Sequence, residues 1–196
     1  MLVLELTHGP LHVSASPGSG KTALCLGVIS RIVSEGGNVI WACREIPNAE
    51  RARSILCDFD DSDFEKISII HYSNNLPKYL DTIISLSRSL TKRDIIILDD
   101  WCGNHGRASK GEISSVCELS DVCRNTNLVI TSSSYEDASG NRNKTWVSRG
   151  GSSVERSFKT VFLENHALKT GVRVIRFDET EKFLMMTQRG LVEISS

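Results

Sequence analysis

Residues 14 to 22 read SASPGSGKT, set between an apolar run, LHVSAS (11–16), and a helix-like stretch, TALCLGVISRIVSEGG (22–37). Strand, glycine-rich loop and helix, in that order, let backbone N–H groups at a helix start curl around an anion. Gly18 and Gly20 allow the backbone to come close, Lys21 has the reach for β- and γ-phosphates, and the Thr22 hydroxyl suits a Mg²⁺ ion. The full pattern for such a loop is G-x-x-x-x-G-K-[ST], and its opening glycine is here Ala15. The extra methyl removes no N–H donor. Ala15, Ser16, Pro17, Gly18, Ser19, Gly20, Lys21, Thr22 and Ala23 are therefore expected to hold phosphate, less tightly if φ at Ala15 disfavours alanine.

A loop of this kind needs a sheet around it, and the remaining pattern supplies one. In the stretch after the loop, Leu24, Val28, Ile29 and Ile32 recur at helical spacing, and Gly36-Gly37 ends it. Strands are expected at 38–43, 66–72, 94–100 and 127–133, alternating with helices at 48–59, 76–90 and 112–123. The run DIIILDD (94–100) is apolar until its acidic end, as a strand covered on both faces is. This alternation predicts an α/β fold, a mainly parallel sheet flanked by helices, in one domain over residues 1–196. Residues 134–153 read as a long loop. FKTVFLE, GVRVIRF, FLMMTQ and LVEIS, in the last 40 or so residues, read as antiparallel additions to the sheet edge.

The acidic end of DIIILDD has a chemical use. Asp99 is placed to hold a Mg²⁺ ion through water, opposite Thr22. Hydrolysis would also need a carboxylate to orient and deprotonate water. Two residues qualify on local evidence: Asp100, directly after Asp99, and Glu45, just beyond the strand at 38–43. No N-K-x-D guanine-reading motif is present, which favours ATP.

Net charge is −1, so any affinity for nucleic acid must come from a local patch. No apolar run reaches the length of a membrane span, and the N-terminus lacks the pattern of a secretory signal, so the cytoplasm is the expected location. The six cysteines show no C-x-x-C spacing and read as reduced.

On these motifs the chain resembles the RecA/RadA recombinase family, and most closely its short archaeal RadB paralogues. VIWACREIPNAERARSI resembles that family's second strand and following helix, IIILDDW its acidic fourth strand, NLVITSS its fifth, and RGGSSVERSFKTVFLE onward its C-terminal strands. The resemblance implies a RecA-like P-loop core, ATP and Mg²⁺ as cofactors, and Glu45 rather than Asp100 as the water-activating carboxylate, with Lys21 on phosphate. A polar Gln commonly follows the family's fifth strand and links the γ-phosphate to the DNA loop. Ser132 or Ser133 holds that place here. No F-x-x-A polymerisation segment occurs in the sequence.

Within 138–153, Arg142, Lys144 and Arg149 accompany Trp146, with no acidic residue after Asp137 in that stretch. Cations pair with phosphates and an aromatic ring stacks on a base, and the resemblance implies that single-stranded DNA is gripped here. Three cations are few, so one copy alone would bind weakly. The expectation is a weakly hydrolysing ATP-binding protein that assists recombination and DNA repair, working with a recombinase, another RecA-like subunit or copies of itself. The alternative is a non-catalytic nucleotide-switch subunit that docks on such a partner.

Overall fold

The structure, a computed structural model, describes residues 6, 9–136, 146–177 and 180–194. The expected alternation becomes β1 (Leu11–Ala15), α1 (Lys21–Ser34), β2 (Val39–Cys43), α2 (Ala49–Ile55), α3 (Asp61–Phe64), β3 (Ile67–His71), α4 (Leu76–Ser87), β4 (Ile95–Asp99), α5 (Lys110–Val122) and β5 (Asn127–Ser133). There follow β6 (Tyr135–Glu136), β7 (Trp146–Val147), α6 (Gly151–Ser157), β8 (Lys159–Asn165), β9 (Val172–Phe177), β10 (Thr180–Thr187) and β11 (Gly190–Ile194). One nine-stranded sheet runs in the order β11-β10-β9-β8-β1-β5-β4-β2-β3, and β6 pairs with β7 apart from it.

Side-chain alternation divides the sheet into two faces with one rule. On β1, β2, β4 and β5 the odd-numbered apolar residues, including Val13, Trp41, Ile97 and Val129, join the cluster around α1. The even-numbered ones, including Ile40, Ile96, Leu98 and Ile130, join the cluster under α4, α5 and α6. By the same parity Asp99, Thr131 and Ser133 emerge on the α1 face. This places three polar side chains in front of the phosphate loop.

Three expectations change. The helix expected over 48–59 ends at Ile55, and Asp60 starts the separate α3 through a capping box with Asp63. The segment read as loop up to 153 contains the β6–β7 pair and the start of α6. Of the four C-terminal strands, β8 is parallel to β1, while β9, β10 and β11 are antiparallel to their neighbours. The helical crossover through α6 returns the chain beside β1 in the same direction, which a hairpin could not do. Residues 137–145, the central part of the expected loop, lie outside the described residues.

Gly150 makes the α6 crossover tight. It caps the helix at φ 91, and a Cβ there would run into the Val154 side chain and press on the Trp101 ring. Gly151 also has positive φ, 54, but faces open space. Gly150→Ala is expected to cost about 2–4 kcal/mol, left-handed strain plus overpacking. Gly151→Ala should cost only the strain, about 1–2 kcal/mol. Urea denaturation of the two variants checks this, and equal losses would show that packing at Gly150 is not tight.

Candidate functional site

Ala15 closes β1 fully buried, in register with Ser133 on β5 and Leu163 on β8. Its carbonyl accepts from Ser134 N at 2.8 Å. It is not among the residues with positive φ, and its methyl belongs to the α1-side core. A strand-end residue with ordinary φ does not require glycine, so the departure from the motif carries no strain. The turns fall instead at Gly18 (φ 70) and Gly20 (φ 101).

The loop is held by its carbonyl groups, once from within and twice from the C-terminal strands. Ser19 Oγ donates to Ser16 O at 2.7 Å, Asn165 Nδ2 to Pro17 O at 3.1 Å, and Arg173 Nε to Ser19 O at 3.1 Å. Gly20 then caps α1 with no side-chain hydrogen bond, and the first turn holds no acidic residue. The first N–H groups of a 14-residue helix are thus left without an internal anion. A Cβ on Gly20 would collide with the end of the Met186 side chain on β10, so the C-terminal strands also shape the loop.

Lys21 Nζ lies 2.5 Å from Asp100 Oδ1 and donates to Ser133 Oγ at 2.6 Å. Thr22 Oγ1 donates to Asp99 Oδ2 at 3.3 Å, and Thr131 Oγ1 donates to Asp99 Oδ1 at 2.8 Å. Asp99 is 4% exposed. Burial, and then the neighbouring Asp100 carboxylate, push its carboxyl above the usual range. Cys25 presents its thiol to the same carboxylate, and burial pushes that thiol well up, which makes it an inert neighbour.

Asp100 is held in the left-handed region, φ 58, at an ordinary cost of about 1–2 kcal/mol for a residue with a side chain. Its N–H donates to Thr131 Oγ1 at 2.9 Å, and its carbonyl accepts from Arg44 Nε at 2.9 Å and Tyr72 OH at 2.8 Å. Arg44 is itself buried, with Nη2 2.6 Å from Glu112 Oε1 and Nη1 donating to Asn74 Oδ1 at 2.6 Å. Glu112 also closes the capping box of α5 with Ser109. The turn that aims Asp100 at Lys21 is thereby fastened to β2, β5 and α5 at once.

The structure brings Lys21, Thr22, Asp99, Asp100 and Ser133 together, and adds Thr131 and Arg44, which motif reading did not single out. Of the two serines weighed for the end of the fifth strand, Ser133 meets Lys21, while Ser132 bonds the buried His12 at 2.8 Å. Parity along β5 would have separated them. Glu45 follows Arg44 just past the end of β2, exposed, with no hydrogen bond or ion pair among the described residues. Trp146 is half-buried on β7. Arg142 and Lys144 lie outside the described residues. Arg149 corrects an expectation: it is 6% exposed and donates to the backbone carbonyls of Ser133, Asn104 and Gly106. A guanidinium spent on three carbonyls serves as a clamp and is not presented to a phosphate backbone.

No family model matches the chain, and no curated protein matches it. Solved structures do. A RadB recombinase matches with TM-score 0.72 at 17% identity, over 95% of this chain and 91% of that one. The fold is RecA-like. Two further RecA-like neighbours fit the same frame, each over 95% of this chain. A KaiC-like protein from the hyperthermophilic archaeon Pyrococcus horikoshii OT3 has TM-score 0.67 at 16% identity, over 89% of that chain. A DnaB-like replicative helicase, solved with its interactions with primase, has TM-score 0.67 at 14% identity, over 57% of that chain. Among the described residues, no helix is long and apolar enough to cross a membrane.

The packing of Ala15 makes a test that runs against motif logic. Restoring the glycine, Ala15→Gly, deletes a buried methyl and loosens a strand. The expected loss is about 1–2 kcal/mol of stability, with no gain in affinity for any phosphate ligand. Chemical denaturation together with titration calorimetry reads both quantities. A variant that binds more tightly would return the anomaly to the loop.

Proposed function

We propose that the chain is an ATP-binding, slowly hydrolysing protein, with Mg²⁺ as its metal. The observation that carries this reading is the α1 N-terminus: an N-cap glycine with no side-chain cap, no acid in the first turn, and Lys21 and Thr22 directly inside it. These residues fit the anionic group, because Gly18, Gly20 and the first turn of α1 supply N–H donors and Lys21 supplies charge. Thr22, Asp99 and Thr131 fit a hydrated divalent cation, whose charge offsets the cost of the buried Asp99 carboxylate. When bound, the ion would supply charge neutralisation at the phosphates.

Two carboxylates remain for water activation. Asp100 is engaged with Lys21, whereas Glu45 is exposed and unengaged among the described residues. A side chain with no competing partner is available to turn toward a bound nucleotide, which supports Glu45. Lys21→Ala is expected to abolish Mg-ATP binding in calorimetry. Glu45→Gln should keep binding and lower turnover by about a hundredfold or more, the range of a lost general base. A collapse of turnover in Asp100→Asn with Glu45→Gln unaffected would assign the role to Asp100.

The likeness to a recombinase and a helicase supports a place in DNA recombination or repair, in the cytoplasm, beside a recombinase, another RecA-like subunit or copies of the same chain. Contact with single-stranded DNA would fall to Arg142, Lys144 and Trp146. Base stacking on an aromatic is worth about 1–3 kcal/mol, so Trp146→Ala should weaken oligonucleotide binding by about one or two decades. Arg142→Ala and Lys144→Ala should each lower the salt slope by about one. Fluorescence titrations at several salt concentrations check this. No binding at low salt, or indifference to all three substitutions, would favour the second reading, a nucleotide-switch subunit. The Lys21–Asp100 pair already favours that reading in one respect, since it gives the ammonium a resting partner.

A further inference from the structure

We propose that Asn104 is a positioning residue that, through the Ser133 hydroxyl, transmits the state of the Lys21 ammonium to the loop between β4 and α5. The proposal rests on the reading of residues 15–23 as a phosphate site. A hydroxyl offers one proton and two lone pairs. Lys21 Nζ can only donate, so its 2.6 Å contact occupies a lone pair of Ser133 Oγ. The hydroxyl proton then goes to Asn104 Oδ1, 2.7 Å away. In this arrangement the Asn104 amide faces Ser133 with its oxygen.

A terminal phosphate reverses that polarity. It draws the ammonium to itself and accepts the Ser133 proton. Ser133 Oγ is then left with lone pairs facing Asn104 Oδ1, two acceptors in contact. The amide satisfies the pair by turning over and donating from Nδ2, or it moves away. Either way the change enters the loop at Asn104.

The loop is built to register it. Arg149 Nη2 donates to Asn104 O at 2.6 Å, Arg149 Nε to Ser133 O at 2.8 Å, and Arg149 Nη1 to Gly106 O. The same guanidinium stands 5.7 Å from the Tyr135 ring centre. Ser133, Asn104 and Gly106 are thus clamped as a unit. That unit borders a cavity of about 590 Å³, lined by Gly106, Arg107, Ala108, Ile113, Tyr135 and Arg149 among others. Asn104 meets Ser133 through its side chain and Arg149 through its carbonyl, and so joins the Lys21 end to this wall.

The test is hydrogen exchange over residues 101–109 in three states: nucleotide-free, with Mg-ADP, and with a Mg²⁺-bound non-hydrolysable ATP analogue. The wild type should exchange differently with triphosphate and diphosphate. Asn104 is exposed, so its variants should fold, as thermal melts will show. Asn104→Ala should erase the difference while both nucleotides still bind. Asn104→Asp keeps the acceptor and loses the donor, so its preference for triphosphate over diphosphate should fall about tenfold, the scale of one hydrogen bond. Identical exchange in the two wild-type nucleotide states, survival of the difference in Asn104→Ala, or an unchanged preference in Asn104→Asp overturns the proposal and leaves nucleotide binding intact. Failure of the wild type to bind either nucleotide is a separate result, which removes the phosphate-site reading and this proposal with it.

Discussion

An ammonium group as sheltered as that of Lys21, with its side chain 14% exposed, must have acceptors around it. Much of the architecture near the sheet's central edge exists to supply them. Ser133 arrives from β5, and Asp100 arrives from a turn that its own backbone would not choose. That turn persists because Thr131, Tyr72 and Arg44 each bond its main chain. The same acceptors define what a nucleotide must compete with. In the proposed reading its phosphates would take over a cation that is already satisfied, so net affinity would reflect a difference between two good environments and not the full strength of either.

The second consequence is coupling. Arg44 joins the Asp100 turn to Glu112 and therefore to the start of α5, and Arg149 joins the end of β5 to the loop before that helix. Both guanidiniums are buried and both act on backbone carbonyls. Removing Arg149 would take a donor from three carbonyls, and removing Arg44 would strip the buried Glu112 of its cation, both costly in a dry interior. The proposed relay from Lys21 would act through this frame. His12, neutral because burial lowers its pKa to about 3, braces the opposite face between Ser132, Trp101 and Thr160.

How much of this was legible beforehand differs by element. The glycine-rich loop, the apolar strands and the helices at 22–37, 76–90 and 112–123 were readable because local pattern dictates them. The C-terminal strands were visible as strands, but the direction of β8 was not, since it depends on the α6 crossover and not on β8's own residues. α3 was missed because its signal is a four-residue cap, Asp60 with Asp63, too short for periodicity. Arg149 was misjudged for a different reason: a cation in a polar stretch reads as solvated until the carbonyls that surround it are known.

By itself the sequence determined the glycine-rich loop before α1, the acidic strand end and the α/β alternation, because each is a short-range consequence of spacing, propensity and backbone chemistry. Only the tertiary structure decided that Ala15 is harmless, that Ser133 and not Ser132 meets Lys21, and that Asn104 stands behind it. Those outcomes rest on register between strands distant in the chain and on which face a side chain takes. Neither quantity is encoded at the residue itself. Both are set when β1 settles between β5 and β8, a step that joins segments more than 100 residues apart in the chain.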